Sequence, residues 1–137
     1  MHKPPDTMNS RILIVDDQSM NVGLLEIILQ NAGYTAITST TNPEEVLQLY
    51  RHNRYDLVLL DLLMPRMDGF QVLDGLLKLD PDVCVVVITA QPAHELRAIQ
   101  VGAKGFISKP FSVKEVADQI RAVLEKYRPA STPGAQP

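Results

Sequence analysis

The sequence predicts an α/β fold in which a five-stranded parallel sheet lies between two layers of helices. Near-continuous aliphatic runs at residues 12–15, 57–60 and 83–88 are typical of strands buried on both faces, as in parallel sheets. Segments of helical periodicity separate the runs, and this β-α alternation implies right-handed crossovers with helices on both faces of the sheet. A chain of 137 residues is the size of a single domain.

Two β-α units are predicted in the first half of the chain. After the strand at 12–15, Ser19 precedes an apolar stripe of helical spacing, and Gly33 stands where a helix C-terminal cap is expected. A shorter strand is predicted at 34–39. The residues Asn42-Pro43-Glu44-Glu45 then supply an N-cap, a proline at the first helical position and a capping glutamate, so a second helix is expected there.

Three more β-α units are predicted in the second half. A capping box from Ser112 to Glu115 opens the last of the helices. In order, the predicted elements are a strand at 57–60, a helix at 68–79, a strand at 83–88, a helix at 92–101, a strand at 105–107 and a helix at 113–127.

The two ends of the chain lack this patterning. Residues 1–10 contain Pro4 and Pro5 without apolar periodicity, and residues 128–137 are rich in proline and small residues. We expect mobile tails at 1–10 and 128–137, the second of which also has the composition of a linker, and one domain at 11–127.

Composition argues against several classes of partner. Sixteen acidic and thirteen basic side chains give a formal net charge of −3, so the basic excess that would bind nucleic acid or anionic lipid is missing. No apolar stretch approaches the roughly 20 residues that span a bilayer. Residues 1–10 hold no signal-peptide core, and the single Cys84 cannot form an intramolecular disulfide. These observations favour a cytoplasmic protein.

Polar or charged side chains come directly after four of the predicted strands. In parallel α/β sheets, ligands bind outside the carboxyl ends of the strands, where the strand order reverses. If the first, third and fourth strands are neighbours, these side chains meet at one edge and form a site. They are Asp16 and Asp17 after the first strand, Asp61 after the third, Thr89 after the fourth and Lys109 after the fifth.

The three carboxylates in this set imply a bound cation. Two unit charges about 4 Å apart repel by about 4 kcal/mol at an effective dielectric of about 20, so a carboxylate cluster is poorly tolerated alone. Oxygen ligands with few protein groups suit Mg²⁺, which keeps several waters. His2 lies in a tail, and His52 and His94 lie within or near helices, so zinc is not indicated.

A carboxylate, a divalent cation, a lysine and a hydroxyl resemble an aspartyl-phosphate site, in which the carboxylate attacks phosphorus. Four motifs extend that resemblance to a family. They are ILIVDD at 12–17, LLDLLMPRMDG at 59–69, VITA at 87–90 and SKPF at 108–111. With all four in this order, residues 11–127 resemble a response-regulator receiver domain of two-component signalling.

The resemblance implies a role for each residue of the site. Asp61 would be the phosphoryl acceptor, Thr89 would close on the phosphoryl group, and Lys109 would pair with it. The Mg²⁺ ligands implied are Asp16, Asp17, Asp61 and the backbone carbonyl of Leu63.

The resemblance also implies the fold and a switch. The family has a flavodoxin-like, doubly wound sheet with strand order 2-1-3-4-5 and five helices in a three-layer sandwich. Phe106 stands at the aromatic position that changes between exposed and buried rotamers, together with Thr89, and Pro110 would follow a cis peptide bond.

Each assignment has a structural alternative. Asp16 or Asp17 could cap the helix that follows, and Lys109 could be a solvated surface lysine. Phe106 could be an ordinary core residue. The dipeptide Asp68-Gly69 predicts a turn at the start of the third helix, and no chemical role is assigned to it.

Two other functions use similar folds or chemistry. An aspartyl-phosphate phosphatase of the haloacid-dehalogenase kind needs a second aspartate two residues past the nucleophile, where this chain has Leu63. A flavodoxin-like flavin binder needs a phosphate loop after the first strand, where Asp16 and Asp17 would repel the phosphate. A phosphorylation-dependent switch that does not turn over a substrate accounts for the residues better.

The resemblance also implies partners. A sensor histidine kinase or a phosphotransfer protein would supply the phosphoryl group, and a downstream protein or an effector domain outside these residues would receive the signal. The output face expected is formed by the fourth helix, the fifth strand and the fifth helix. The mixed charges of the last helix suit either a phosphorylation-dependent homodimer or a different partner.

Overall fold

A computed structural model describes residues 8–64 and 67–127. Its centre is a five-stranded parallel sheet with strand order 2-1-3-4-5, which confirms the expected fold class. The strands are β1 Arg11–Val15, β2 Ala36–Thr40, β3 Leu57–Asp61, β4 Val85–Thr89 and β5 Gly105–Ser108. The helices are α1 Ser19–Asn31, α2 Val46–Asn53, α3 Gly69–Leu79, α4 Pro92–Val101 and α5 Val113–Tyr127.

The alternation of side chains along each strand divides the core into two layers. On β3, Val58 and Leu60 belong to a cluster with buried residues of α2, α3 and α4. Leu57 and Leu59 belong to a second cluster, with buried residues of α1 and α5. All four side chains have no exposed surface. The continuous aliphatic run therefore reflects a strand that is covered on both faces.

Local capping explains where several helices begin. The Asn42 side chain accepts a hydrogen bond from the Glu44 N–H at 3.0 Å, as predicted. The predicted capping box is also present, with the Glu115 N–H donating to Ser112 Oγ at 3.1 Å and the Ser112 N–H donating to Glu115 Oε1 at 2.9 Å. Asp68 caps α3 by accepting from the Phe70 N–H at 2.9 Å.

Some element boundaries differ from the sequence prediction. Residues Pro43–Glu45 form one 3₁₀ turn, so α2 begins only at Val46. The strand β2 begins at Ala36 and not at Tyr34, because the Tyr34 N–H bonds to the Leu29 carbonyl and completes the end of α1. The strand β4 begins at Val85, two residues later than the aliphatic run.

A short antiparallel pair was not predicted. Leu63–Met64 pairs with Met67–Asp68 between β3 and α3. Two residues are too few to show a strand periodicity in sequence. This pair folds the chain back immediately after Asp61, which sets the shape of the loop beside it.

The predicted tails fall largely on residues that the structure does not describe. Residues 1–7 and 128–137 lie outside the described ranges. Residues 8–10 lead into β1, and Ser10 is buried. Among residues 8–64 and 67–127, no helix has the length and apolar character needed to cross a bilayer.

Candidate functional site

The carboxyl ends of the central strands carry the predicted site residues at one edge of the sheet. Register keeps these ends level, since Val15 lies beside Leu60 and Asp61 lies beside Ile88. Thr89 is the last residue of β4 and lies beside Ser108, the last residue of β5. Asp16, Asp17 and Lys109 each lie one or two residues past the end of a strand.

Asp61 is a buried carboxylate with two donors. Its side chain is 4% exposed, and Lys109 Nζ lies 3.1 Å from its Oδ2 atom. The Leu63 N–H donates to Oδ1 at 3.0 Å. Each carboxylate oxygen therefore has its own donor, and the lysine supplies a compensating charge at the sheet edge.

Asp16 lies next to Asp61 and is disfavoured as an anion. It is 1% exposed. Burial raises the pKa of Asp16 from 3.8 to about 6, and the negative charge of Asp61 adds to that rise. The Gln18 N–H, which donates to Asp16 Oδ1 at 2.9 Å, and the charge of Lys109 act in the opposite direction. The site therefore holds more carboxylate than Lys109 alone neutralises.

The contact between Asp16 and Gln18 also bears on the capping alternative. Gln18 is the residue at the N-cap position of α1, and helix N-cap side chains accept from backbone N–H groups two or three residues further on. The Asp16 carboxylate closes a turn ahead of the helix and does not bond into its first turn.

The donor set fits a hard divalent cation held by few protein ligands. Asp16 and Asp61 offer carboxylate oxygens in a place where a positive charge would be stabilised. Asp17, the next residue after Asp16, is half-buried. Within the described ranges, no three Asp, Glu, His or Cys side chains form a ready-made metal centre, so the structure does not bring Asp17 into a three-carboxylate group. Such a cation would keep much of its water, as Mg²⁺ commonly does.

Thr89 is a buried hydroxyl at the end of β4. It has no exposed surface. Its Oγ1 accepts from the Gln91 N–H at 3.2 Å, and its carbonyl accepts from the Lys109 N–H at 3.0 Å. Thr89 is thus bonded through its backbone to the residue that pairs with Asp61.

Phe106 and Pro110 occupy the last strand and the loop after it. Phe106 is 41% exposed, so it is not a core residue in this conformation. The peptide bond between Lys109 and Pro110 is cis, the isomer that the resemblance implies. The Ser108 hydroxyl, between these positions, hydrogen-bonds to Glu95 of α4.

Backbone groups were missed by the sequence prediction. The Leu63 N–H on Asp61 and the Gln18 N–H on Asp16 have no signature in residue type. The close packing of Gly69 on the backbone after Asp61 was missed as well. Its signal was available in the Asp68-Gly69 dipeptide, which was interpreted as a turn alone.

Comparison with known proteins places this site in context. The family profile described as response regulator receiver domain matches residues 12–121. The chemotaxis protein CheY of Thermotoga maritima is 36% identical over 118 residues, which are 85% of this chain and 98% of that protein. The alkaline phosphatase synthesis transcriptional regulatory protein PhoP of Bacillus subtilis is 32% identical over 87% of this chain, which spans 50% of that longer protein.

A solved structure agrees with this match. The crystal structure of the receiver domain of NtrX from Brucella abortus has a TM-score of 0.78 at 30% identity. The similarity covers 83% of this chain and 98% of that one.

Proposed function

Because this chain belongs to the response regulator receiver domain family, we propose that Asp61 accepts a phosphoryl group and that the phosphorylated chain acts as a signalling switch. One observation carries the assignment to Asp61. It is a buried carboxylate at the carboxyl edge of the sheet whose oxygens are oriented by Lys109 and by the Leu63 N–H. The donor would be a sensor histidine kinase or a phosphotransfer protein.

The transfer needs a nucleophile and a way to hold the transferring oxygens. An Asp61 oxygen would form a bond to phosphorus as the P–N bond of a phosphohistidine breaks, and the released imidazole would keep the bonding electron pair and take up a proton. Lys109 Nζ would stay within reach of a phosphoryl oxygen, because it is 3.1 Å from the attacking carboxylate. The Thr89 hydroxyl, whose oxygen accepts from the Gln91 N–H, would donate to a phosphoryl oxygen.

The acidic pair beside Asp61 supports a cation at the same edge. Receiver domains of this family typically use Mg²⁺ at the acidic phosphorylation site. Asp16, Asp17, Asp61 and the Leu63 carbonyl would hold it, and it would neutralise the negative charge that opposes an incoming phosphate. A cation would lower the cost of the Asp16 charge and so favour the ionised carboxylate further.

The switch would change the face formed by α4, β5 and α5. Thr89 and Lys109 are joined by a backbone hydrogen bond, and Ser108 links β5 to Glu95 of α4. Movement of Thr89 and Lys109 toward a phosphoryl group would therefore act directly on these elements, and on the half-exposed Phe106. Moving a population from 1:99 to 99:1 takes about 5.5 kcal/mol, which a few charge-assisted contacts can supply.

The two relatives differ in length. CheY of Thermotoga maritima is nearly coextensive with this chain, whereas PhoP of Bacillus subtilis is twice as long and is a transcriptional regulatory protein. The output would accordingly be a separate docking protein or an effector domain outside residues 1–137. We place the phosphoryl transfer in the cytoplasm, because the single cysteine forms no intramolecular disulfide and reduced thiols are typical of that compartment.

Phosphoryl incorporation tests the assignment of Asp61. The protein is incubated with Mg²⁺ and acetyl phosphate, in which the P–O bond breaks and acetate leaves, and intact masses are compared for wild type, Asp61→Asn and Asp74→Asn. We expect one phosphoryl group on wild type and on Asp74→Asn, whose exposed carboxylate pairs with Lys78 on α3, and none on Asp61→Asn. Equal incorporation in all three proteins would reject the assignment.

A further inference from the structure

Gly69 packs against the backbone that follows Asp61. It is the first residue of α3 and is buried. A methyl group added at its Cα would lie 2.5 Å from the Leu62 Cα, 2.8 Å from the Leu62 carbonyl oxygen and 3.0 Å from the Asp61 carbonyl oxygen. These are backbone atoms, which cannot turn away as a flexible side chain does.

Space, and not backbone conformation, requires glycine at this position. Among the described glycines, Gly33 and Gly102 have a positive φ and Gly69 does not. An alanine could therefore adopt the backbone angles of Gly69 without strain. Only the approach of the Leu62 peptide excludes its methyl group.

The Leu62 peptide is braced from two sides. Its N–H donates to the Ile88 carbonyl of β4 at 3.1 Å, and its carbonyl accepts from the Gly69 N–H at 3.1 Å. The next N–H along the chain, that of Leu63, donates to Asp61 Oδ1. A shift of the Leu62 carbonyl thus moves a donor that orients the Asp61 carboxylate, and it also moves the Leu63 carbonyl.

We propose that Gly69 is a positioning residue for phosphorylation. By letting the start of α3 approach the Asp61–Leu62 backbone, it holds the Leu63 N–H on the Asp61 carboxylate and sets the orientation from which that carboxylate attacks. This inference rests on the proposed function of Asp61. It assigns a chemical consequence to a glycine that the sequence marks only as part of a turn.

Two other glycines provide matched controls. A methyl group at Gly23 of α1 would meet no atom within 4 Å. For one at Gly75, on the same helix as Gly69, the nearest atoms belong to the flexible side chain of Leu47, at 3.0 Å and beyond. Gly→Ala at these positions changes helix propensity in the same direction without touching the site.

Phosphorylation rates of folded proteins provide the test. Gly69→Ala, Gly75→Ala and Gly23→Ala are compared with wild type in acetyl phosphate and Mg²⁺, at a temperature where melting curves show each to be folded. Because a displacement of about 1 Å can cost about a hundredfold in rate, we expect Gly69→Ala to be slowed about tenfold to a hundredfold. Its half-saturating Mg²⁺ concentration should also rise, while the two control variants match wild type.

Amide spectra in chelator give a readout that is independent of activity. The Leu63 resonance should be displaced in Gly69→Ala and unchanged in Gly75→Ala. If Gly69→Ala does not fold, wild type still tests the idea, because beryllofluoride with Mg²⁺ should shift the Gly69 and Leu63 amides together and leave that of Gly75 in place.

The outcomes separate this inference from the proposed function. A wild-type rate and an unmoved Leu63 amide in Gly69→Ala would overturn the positioning role while the phosphoacceptor stands. An absence of beryllofluoride shifts at Gly69 would overturn it as well. No phosphoryl incorporation into wild type would instead reject the function itself.

Discussion

The Asp16 carboxylate lies where its negative charge is unfavourable. The free-energy cost of that charge comes from its burial in the candidate site, close to Asp61. Burial, with the nearby charge of Asp61, raises the pKa of Asp16 to about 6. A residue selected only for stability would not carry an ionised, buried carboxylate beside another. At the scale of single residues, stability and the proposed phosphoryl chemistry therefore place opposite demands on position 16.

Asp16→Asn should stabilise the metal-free protein at neutral pH. The amide oxygen can still accept from the Gln18 N–H, while the unfavourable charge is removed. We expect the free energy of unfolding to rise by about 1–3 kcal/mol, measured by urea unfolding in chelator. The increase in stability that Mg²⁺ confers on wild type should shrink in the variant.

The pH dependence of this gain has a defined sign. Because folding raises the pKa of Asp16 from 3.8 to about 6, the stability that wild type gains from the protonated carboxyl is complete below pH 3.8 and is lost as the pH rises through about 6. The advantage of Asp16→Asn should thus be greatest above pH 6 and disappear toward pH 3.8. A variant that is less stable than wild type throughout would show that the carboxylate matters for the turn and not for a cation.

At the scale of elements, the predictable parts are those whose cause is local. The strands at 12–15 and 57–60 were predicted because continuous aliphatic runs need two covered faces, and the caps at Asn42 and Ser112 because one side chain satisfies nearby donors. The start of β2 depends on how α1 ends. That end includes a backbone hydrogen bond from the Tyr34 N–H, which cannot be predicted from residue type.

The candidate site shows the same division. Its position at the strand ends, and the meeting of Lys109 with Asp61, follow from the order of the elements in a parallel sheet. The place of Asp17 does not follow, because it lies in the short connection between β1 and α1, where no periodic pattern indicates where a side chain points. The backbone donors of Leu63 and Gln18 depend on the same kind of local path.

Beryllofluoride, a stand-in for the phosphoryl group on Asp61, should alter α4, β5 and α5 more than the rest of the chain. Thr89 and Lys109 lead into these elements, and Glu95 and Ser108 join two of them. We expect amide shifts spread over residues 90–127, and a change in the environment of Phe106, recorded by nuclear magnetic resonance with Mg²⁺ present.

The matched control is Asp61→Asn, which should show no such spread. Shifts confined to the neighbours of Asp61, without a change in sedimentation, would leave a phosphoacceptor with no output through this face. Shifts centred on α2 would place the output outside the α4-β5-α5 face, although α2 packs on the same side of the sheet as α4.

At the scale of the whole molecule, stability comes from two apolar layers that share the sheet. Leu59 has no exposed surface and lies in the layer of α1 and α5, whereas Leu96 on α4 is 63% exposed. Both are leucines, so replacing each by alanine removes the same atoms, and the two variants differ only in how buried those atoms are.

Leu59→Ala should lower the free energy of unfolding by about 2–5 kcal/mol, because it removes buried methyl groups and leaves a cavity. Leu96→Ala should change it by less than about 0.5 kcal/mol. Urea unfolding monitored by circular dichroism measures both. Similar losses in the two variants would mean that the outer face of α4 is covered by another copy of the chain in solution.

Successive side chains of β3 point to opposite faces of the sheet, so the two apolar layers can be substituted independently of each other. Val58 and Leu60 can be substituted together with the residues of α2, α3 and α4 that pack on them. The side chains that pack on Leu57 and Leu59, from α1 and α5, then stay unchanged. Both layers end at the same carboxyl edge of the sheet. The Asp61 carboxylate could therefore be kept while the residues on either side of it are changed. Because side chains alternate between the two faces of the sheet, the packing on one face can vary in sequence while the packing on the other face is kept.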